Sequence, residues 1–470
     1  MVPSKSDLMS TKPAQQKKVV RAVEQKFKRA TRDGLQGPLL ESCLRLWRDF
    51  AAHTDLSRTR KPETWAAALL YTFERLQFGG WSQEDAATLF GVSAISVSQK
   101  HRQLAETLGL VLLDARYLPE ARRMAVRRDY GNLPEGLPLL ETPTSFWHFP
   151  FELRVQDPLH KAQDLVYDGW EALGENVRRA ERFFRKALEG DPFLADAYNG
   201  LAGVAEARGD LDAVEAHYRR AYELARETLG SESPKAYYWW GELETRPYMR
   251  AREGLGWIYW QTGRYREALV EYEALLRLNP NDNQGVRYVI APLHQLAGDL
   301  EGALKAYHHY ARHYPDDWGD PHHTFCWGLA FYEADRREEA IRRWREAFFQ
   351  NIYLAPLLLN EPLPPTDLWH GTNLQWPDYA EDYPDLYGEL WSRIPEAREV
   401  LRRLWHDPEV KADMERWLDL RRTMQQRSQA VRSNEPGARA AWMELLEELR
   451  AIEQGAPSEA TQRRVLEGSS

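Results

Sequence analysis

Residues 268–280 read ALVEYEALLRLNP, and the spacing within this stretch decides the fold. Ala268 is followed four positions on by Tyr272 and three beyond that by Leu275, and Pro280 closes the run. The cadence recurs as Ala180/Phe184/Ala187, Val214/Tyr218/Ala221, Ala303/Tyr307/Tyr310 and Ala340/Trp344/Ala347, with Pro192 and Pro315 in the place of Pro280 in two of them. Residues at i, i+4 and i+7 share one helix face, and a return every ~34 residues marks a two-helix repeat unit. A lone helical hairpin cannot bury its apolar stripe, so such units stack on one another and build a curved array with a concave groove. The expectation is an all-α solenoid that binds a partner, not a catalyst.

In period and residue types the array resembles the tetratricopeptide repeat. That resemblance implies that the first helix of each unit lines the groove. The third repeat then offers Arg250, Glu253, Trp257, Trp260 and Gln261, the fourth Tyr288, Pro292 and Gln295, and the fifth His322, Phe325, Cys326 and Tyr332. Rings mixed with Arg and Gln suit an extended or helical peptide. The subclass that clamps carboxylate tails wants Lys and Asn in the first repeat, where this chain has Leu165 and Gly169. The stretch LNPNDNQGVR (residues 278–287), followed by APLHQLAGDLEGALKAY, is similar to bacterial repeat proteins and to the suppressor-of-tumorigenicity-seven family. Asn283 is expected to cap the helix after that turn.

At 470 residues, with 43% apolar and 28% charged content, the chain has the composition of an ordinary soluble protein with several domains. Cys43 and Cys326 are its only cysteines, which suits a reducing compartment. No stretch resembles a signal peptide or reaches membrane-spanning length, so a cytoplasmic location with no membrane partner is expected. The net charge of −9 is uneven: residues 1–128 hold 22 Lys/Arg against 13 Asp/Glu. A basic front on an acidic body steers toward a polyanion, or toward the acidic body itself.

Within that front, residues 82–102 read SQEDAATLFGVSAISVSQKHR. Ser82 is placed to cap one helix, Gly91 to make a tight turn, and Ser93 to cap a second helix. With the preceding PETWAAALLYTFERLQ (residues 62–77), the stretch resembles the cyclin-like repeat of transcription factor IIB and sigma-type regulators, whose helix-turn-helix inserts its second helix into a groove of DNA. The resemblance implies base contacts from Ser98, Gln99 and Arg102 and phosphate contacts from Lys100 and His101. The other reading is a helical module that binds only protein. Trp47, Trp65 and Trp81 are expected in its core.

The boundaries read from composition are a basic, partly disordered tail at 1–36, a helical helix-turn-helix domain at 37–128 and a Pro-rich linker at 129–158. The solenoid follows at 159–352 with an insertion near 230–247, then an irregular Pro/aromatic segment at 353–385, helices at 386–455 and a disordered tail at 456–470. The aromatic group Phe146/Trp147/Phe149/Phe151 in the linker is expected to pack on the first repeat.

His309, His313, His322 and Cys326 are the weak candidates for a metal site, because each pair sits four apart on one helix face. No phosphate-binding glycine loop, HExxH or GxSxG pattern is present, so no catalytic residue and no cofactor is expected. Three readings follow: a scaffold with DNA or RNA binding through its front domain, a pure protein adaptor, or a metal-binding protein or metal-dependent enzyme.

Overall fold

The computed structural model of the protein describes residues 5–130, 133, 136–143, 158–433 and 435–467; the group Phe146/Trp147/Phe149/Phe151 lies outside the described residues. Among the described residues there are α-helices and short 3-10 turns but no strand, only one isolated bridge between Val111 and Pro138. The chain divides into two compact units, Met1–Ile258 with Arg277–Asn281, and Tyr259–Leu276 with Asp282–Ser470.

The first unit begins with α1 (Lys5–Ala30), α2 (Gly37–His53), α3 (Pro62–Leu76), α4 (Gln83–Phe90), α5 (Ala94–Leu108) and α6 (Glu120–Tyr130). In α3 every residue from Trp65 to Phe73 is buried. A helix that is apolar all round needs neighbours on every side, and α1, α2, α4 and α5 all pack against this one. Ala66, Ala67 and Ala68 let them come close. Trp47 and Trp65 lie in the core as expected, whereas Trp81 is 40% exposed because it precedes α4 on the outside of the bundle.

The next helices are α7 (Pro158–Leu173), α8 (Val177–Gly190), α9 (Ala195–Glu206), α10 (Leu211–Leu229), α11 (Arg246–Gln261) and α12 (Tyr265–Leu278). Ala180, Phe184 and Ala187 are wholly buried, and α8 packs on α7 and α9. The aromatic of the cadence needs a residue without a side chain opposite it. A Cβ on Gly200 would stand 2.2 Å from the Phe184 ring, one on Gly169 2.5 Å away, and one on Gly254 2.3 Å from Tyr218. Gly200→Ala is therefore expected to destabilise the first unit by about 1–3 kcal/mol through overpacking, despite alanine's better helix propensity. Gly174→Ala, with open space around it, should be neutral. Urea unfolding of the two variants checks this.

The N-terminal helices and the first two repeats form one compact unit, not domains on either side of a linker. Arg122 Nη1 donates to the Thr228 carbonyl at 2.9 Å, and Arg128 pairs with the fully buried Asp191. Ser231 Oγ donates to the Asp33 carbonyl and Gln36 N to that of Gly230. After α10 the inserted residues fold back on themselves. Trp239 is buried and donates to the Ser233 carbonyl, while Tyr238 stays 70% exposed.

The second unit holds α13 (Arg287–Leu296), α14 (Leu300–His313), α15 (Pro321–Glu333) and α16 (Arg337–Gln350) as two further hairpins. The aromatics of the cadence, Tyr307 and Trp344, are fully buried, and Gly328 faces Trp344 as Gly200 faces Phe184. Asp282, not Asn283, secures the start of α13, accepting from Val286 N at 2.9 Å and Arg287 N at 2.8 Å. A carboxylate there also holds the Arg287 guanidinium, which an amide would do less well.

Beyond lie α17 (Leu354–Leu359), α18 (Pro377–Arg393), α19 (Pro395–Trp405), α20 (Pro408–Arg432), α21 (Ala438–Glu453) and α22 (Glu459–Glu467). Two expectations fail here. The segment 353–385 is not wholly irregular, since α18 starts at Pro377 and runs through Pro384. An interior proline costs a helix about 3 kcal/mol, which burial of Ala380, Tyr383, Tyr387, Leu390 and Trp391 on one side of α18 outweighs. The tail at 456–470 is not disordered over its described length. In α22, Thr461 and Val465 are buried, and Arg464 pairs with the buried Asp407 at 2.8 Å.

Candidate functional site

In the first unit, Ser82 and Asp85 form a reciprocal capping box at the start of α4, Gly91 ends it in the left-handed conformation, and Ser93 caps α5. These devices hold α5 with Ile95, Ser98, Gln99 and Arg102 along its outer side, an i, i+3, i+4, i+7 set. Ile95 is 73% exposed.

His101 is on the opposite side, which corrects its reading as a phosphate contact. Its ring is buried edge-on against Tyr71, with Nδ1 3.0 Å from Thr72 Oγ1. That hydroxyl gives its own proton to the Ala68 carbonyl, so Nδ1 carries the imidazole proton and donates it. Burial, helped by the positive charges of Arg75 and Arg102, lowers the His101 pKa to about 4. Lys100 is also turned inward. Its ammonium lies 4.3 Å from the Trp65 ring centroid and donates to Gln103 Oε1.

Along α9 and α11, Arg250 Nη1 donates to Asp196 Oδ1 at 2.6 Å, and Asn199 bonds the same carboxylate and the Pro247 carbonyl. The Arg250 guanidinium lies 6.0 Å from the Trp170 ring centroid. Trp257 Nε1 donates to Glu206 Oε1 at 2.8 Å. Arg250, Glu253 and Trp257 are half-buried and share one side of α11.

The groove residues of the second unit are different. Gln261 is exposed and Tyr288 half-buried, but Trp260, Pro292, Gln295, His322, Phe325, Cys326 and Tyr332 are all buried. The reason is α18, which packs on α13 and α15. Tyr379, Tyr383, Tyr387 and Trp391, each four apart, carry the contact. Tyr379 stacks on His322 at 4.2 Å between centroids, and its carbonyl meets His322 Nε2 at 2.8 Å. Tyr379 OH donates to Asp320. Tyr383 lies edge-on to Phe325 and 3.4 Å from Cys326 Sγ, and Trp391 packs between Phe325 and Trp344. Tyr387 meets Trp260 at 5.4 Å. Gln295 accepts from Tyr307 OH, and its carbonyl accepts from Arg393. Tyr332 packs on Trp344 under Arg337. Trp260, Gln295, His322, Phe325 and Cys326 are therefore not a free peptide surface, because the chain's own α18 occupies them, while Tyr332 is buried against Trp344 of α16. The four-residue aromatic spacing was the sequence signal for α18, and Pro384 masked that signal.

The metal candidates do not converge. His309 and His313 are exposed on α14 with their rings stacked on each other at 3.8 Å, while His322 and Cys326 are buried under α18. Among the described residues no group of three or more His, Cys, Asp or Glu side chains could hold a metal ion.

The tetratricopeptide repeat family matches residues 250–282, so the chain contains such a repeat within an all-helical fold. Repeats of this kind are typically non-catalytic and generally mediate protein–protein binding. No curated protein sequence matches the chain. No described helix is long and apolar enough to cross a membrane.

Proposed function

We propose that the chain is a non-enzymatic interaction scaffold whose docking surface for a protein segment is the strip on α11 carrying Arg250, Glu253 and Trp257, with the buried Asp196 of α9 holding Arg250 in place. The observation that carries this reading is the filling of the other groove stretch by α18. In the first unit, by contrast, Arg250, Glu253 and Trp257 stay half-exposed. The filled stretch also indicates what these repeats accept, namely a helix with aromatic residues at four-residue spacing. Affinity capture on the full chain is expected to recover a partner that Arg250→Ala/Trp257→Ala loses and Gln99→Ala/Arg102→Ala retains. The opposite pattern would reject the strip.

A second reading, nucleic-acid binding by α5, draws on the alignment of Ile95, Ser98, Gln99 and Arg102 along one exposed side. An exposed aliphatic beside Gln and Arg matches the contacts made to a thymine methyl and to purine edges. Duplex binding by the full chain would fall steeply with salt and weaken in Gln99→Ala/Arg102→Ala. No binding at low salt rejects it.

A further inference from the structure

Helix α1 is anchored to the first unit along one side. Val19, Val23 and Phe27 are buried, and Trp47 Nε1 donates to the Val20 carbonyl at 3.3 Å. Gln16 Nε2 donates to the Ala51 and Thr54 carbonyls at 2.9 and 2.7 Å. The helical period of about 3.6 residues then places Lys17, Lys18, Arg21, Lys28 and Arg29 within an arc of about 120° on the other side. All five are exposed, and between Ala14 and Arg29 the same arc holds Ala14 and Gln25 but no acid. From Lys17 to Arg29 the row is about 18 Å long, at about 1.5 Å per residue.

The fold does not need this row. Lys17 and Lys18 stand four and three positions before Arg21, a spacing at which like charges repel. None of the five cations makes an ion pair or a hydrogen bond with a described residue. Other helices of the chain pair surface cations one turn away, as in Arg185–Glu181, Arg219–Glu215, Lys305–Glu301 and Arg342–Glu338. The acids beside α1 are already engaged, Glu24 with Arg48, Glu63 with Lys26 and Asp33 with Arg32. What remains is uncompensated positive charge on an anchored helix.

The surroundings of the row select its partner. A helix that enters a bilayer turns apolar residues toward the lipid, and those of α1 lie inside the bundle. Single-stranded nucleic acid is held on aromatic platforms, and protein interfaces have an apolar centre. Among the described residues of α1 no large apolar side chain is exposed. A row of Lys and Arg with one Gln does match the phosphate backbone of a duplex. That backbone carries one negative charge per about 1.7 Å of axis, and its oxygens accept from these side chains whatever the sequence.

We propose that the outer face of α1 is a sequence-independent contact for the phosphate backbone of duplex nucleic acid. It is a different surface from the α11 strip and from the exposed side of α5, and it stands or falls without either.

Fluorescence anisotropy of the full chain with a short labelled DNA duplex of mixed sequence tests it. Binding is expected at low salt, with a slope of log affinity against log salt of about −4, as for four to five neutralised phosphates. The combined variant Lys17→Gln, Lys18→Gln, Arg21→Gln, Lys28→Gln and Arg29→Gln keeps good helix formers at exposed positions. It should lose affinity about a hundredfold or more and flatten the slope, with a urea midpoint no lower than that of the wild type. A duplex of unrelated sequence should bind equally well. Gln99→Ala/Arg102→Ala in the same assay reports on α5 alone, so failure of one contact is told from failure of the other. No duplex binding at low salt overturns the proposal, as does unchanged affinity in the combined variant. A stronger hold on phosphatidylserine vesicles or on polyglutamate than on the duplex overturns it in favour of a membrane or an acidic protein. A lowered urea midpoint in the combined variant overturns it by showing that the charges serve the fold.

Discussion

Trp391→Ala is expected to destabilise the second unit by about 3–5 kcal/mol, the cost of emptying a large aromatic site in a packed core. Trp391 is fully buried, and its Nε1 donates to Tyr383 OH at 2.8 Å. Its ring also separates Phe325 from Trp344 at 5.5 Å from each. Truncation therefore opens a cavity and removes the donor to a buried hydroxyl at once. Trp391→Phe keeps the ring and should cost less. Urea unfolding followed by circular dichroism measures both. A loss below about 1 kcal/mol for the alanine variant, the size of an ordinary substitution, would mean that α18 does not cover α13 and α15 in solution.

Acid should weaken the same unit through His323. This imidazole is 1% exposed, and neither ring nitrogen has a partner. It lies among the rings of Tyr288, Tyr307, Tyr310 and Trp327. Burial, with Arg343 and Arg287 repelling a proton against the pull of Asp317, lowers its pKa to about 3. The unfolded chain takes up a proton near pH 6.5 and the folded chain does not until about pH 3, so stability is intact above 6.5 and is lost as the pH falls between these values. The loss from this group reaches about 3 kcal/mol at pH 4. Carboxylates such as Asp317 add to any acid loss, so the informative quantity is the difference made by His323→Phe. That variant keeps an aromatic ring and has no proton to gain. It should lose about 3 kcal/mol less than the wild type between pH 7 and pH 4. An unchanged pH dependence would show that His323 is not buried neutral.

The repeats were legible because their cadence is made of core residues, whose identities have few alternatives. Ala180, Phe184, Ala303, Tyr307, Ala340 and Trp344 are all fully buried. The buried side of α5 was legible in principle too: His101 keeps phase with Val97, Leu104 and Ala105, all buried. Only the resemblance to a DNA-reading helix places it outside. Helix α18 was hidden for another reason. Local propensity says that Pro384 breaks a helix, and the outcome depended on a tertiary face that sequence distance conceals. The groove posed a harder problem. His322 and Phe325 suit an aromatic helix equally well whether it comes from a partner or from the same chain. The α22 segment leaves little apolar pattern in the sequence, because only Thr461 and Val465 are buried in a mostly polar helix.

The chain's two thiols lie one in each unit, Cys43 on the buried side of α2 and Cys326 beneath Tyr383, and both are fully buried. Burial raises both pKa values, Glu74 adding to the effect at Cys43. Oxidants and alkylating agents act on the thiolate, so the folded protein presents neither cysteine to them. Oxidative damage at either sulfur would therefore mark a molecule whose unit has already opened, and which sulfur is modified tells which unit that was.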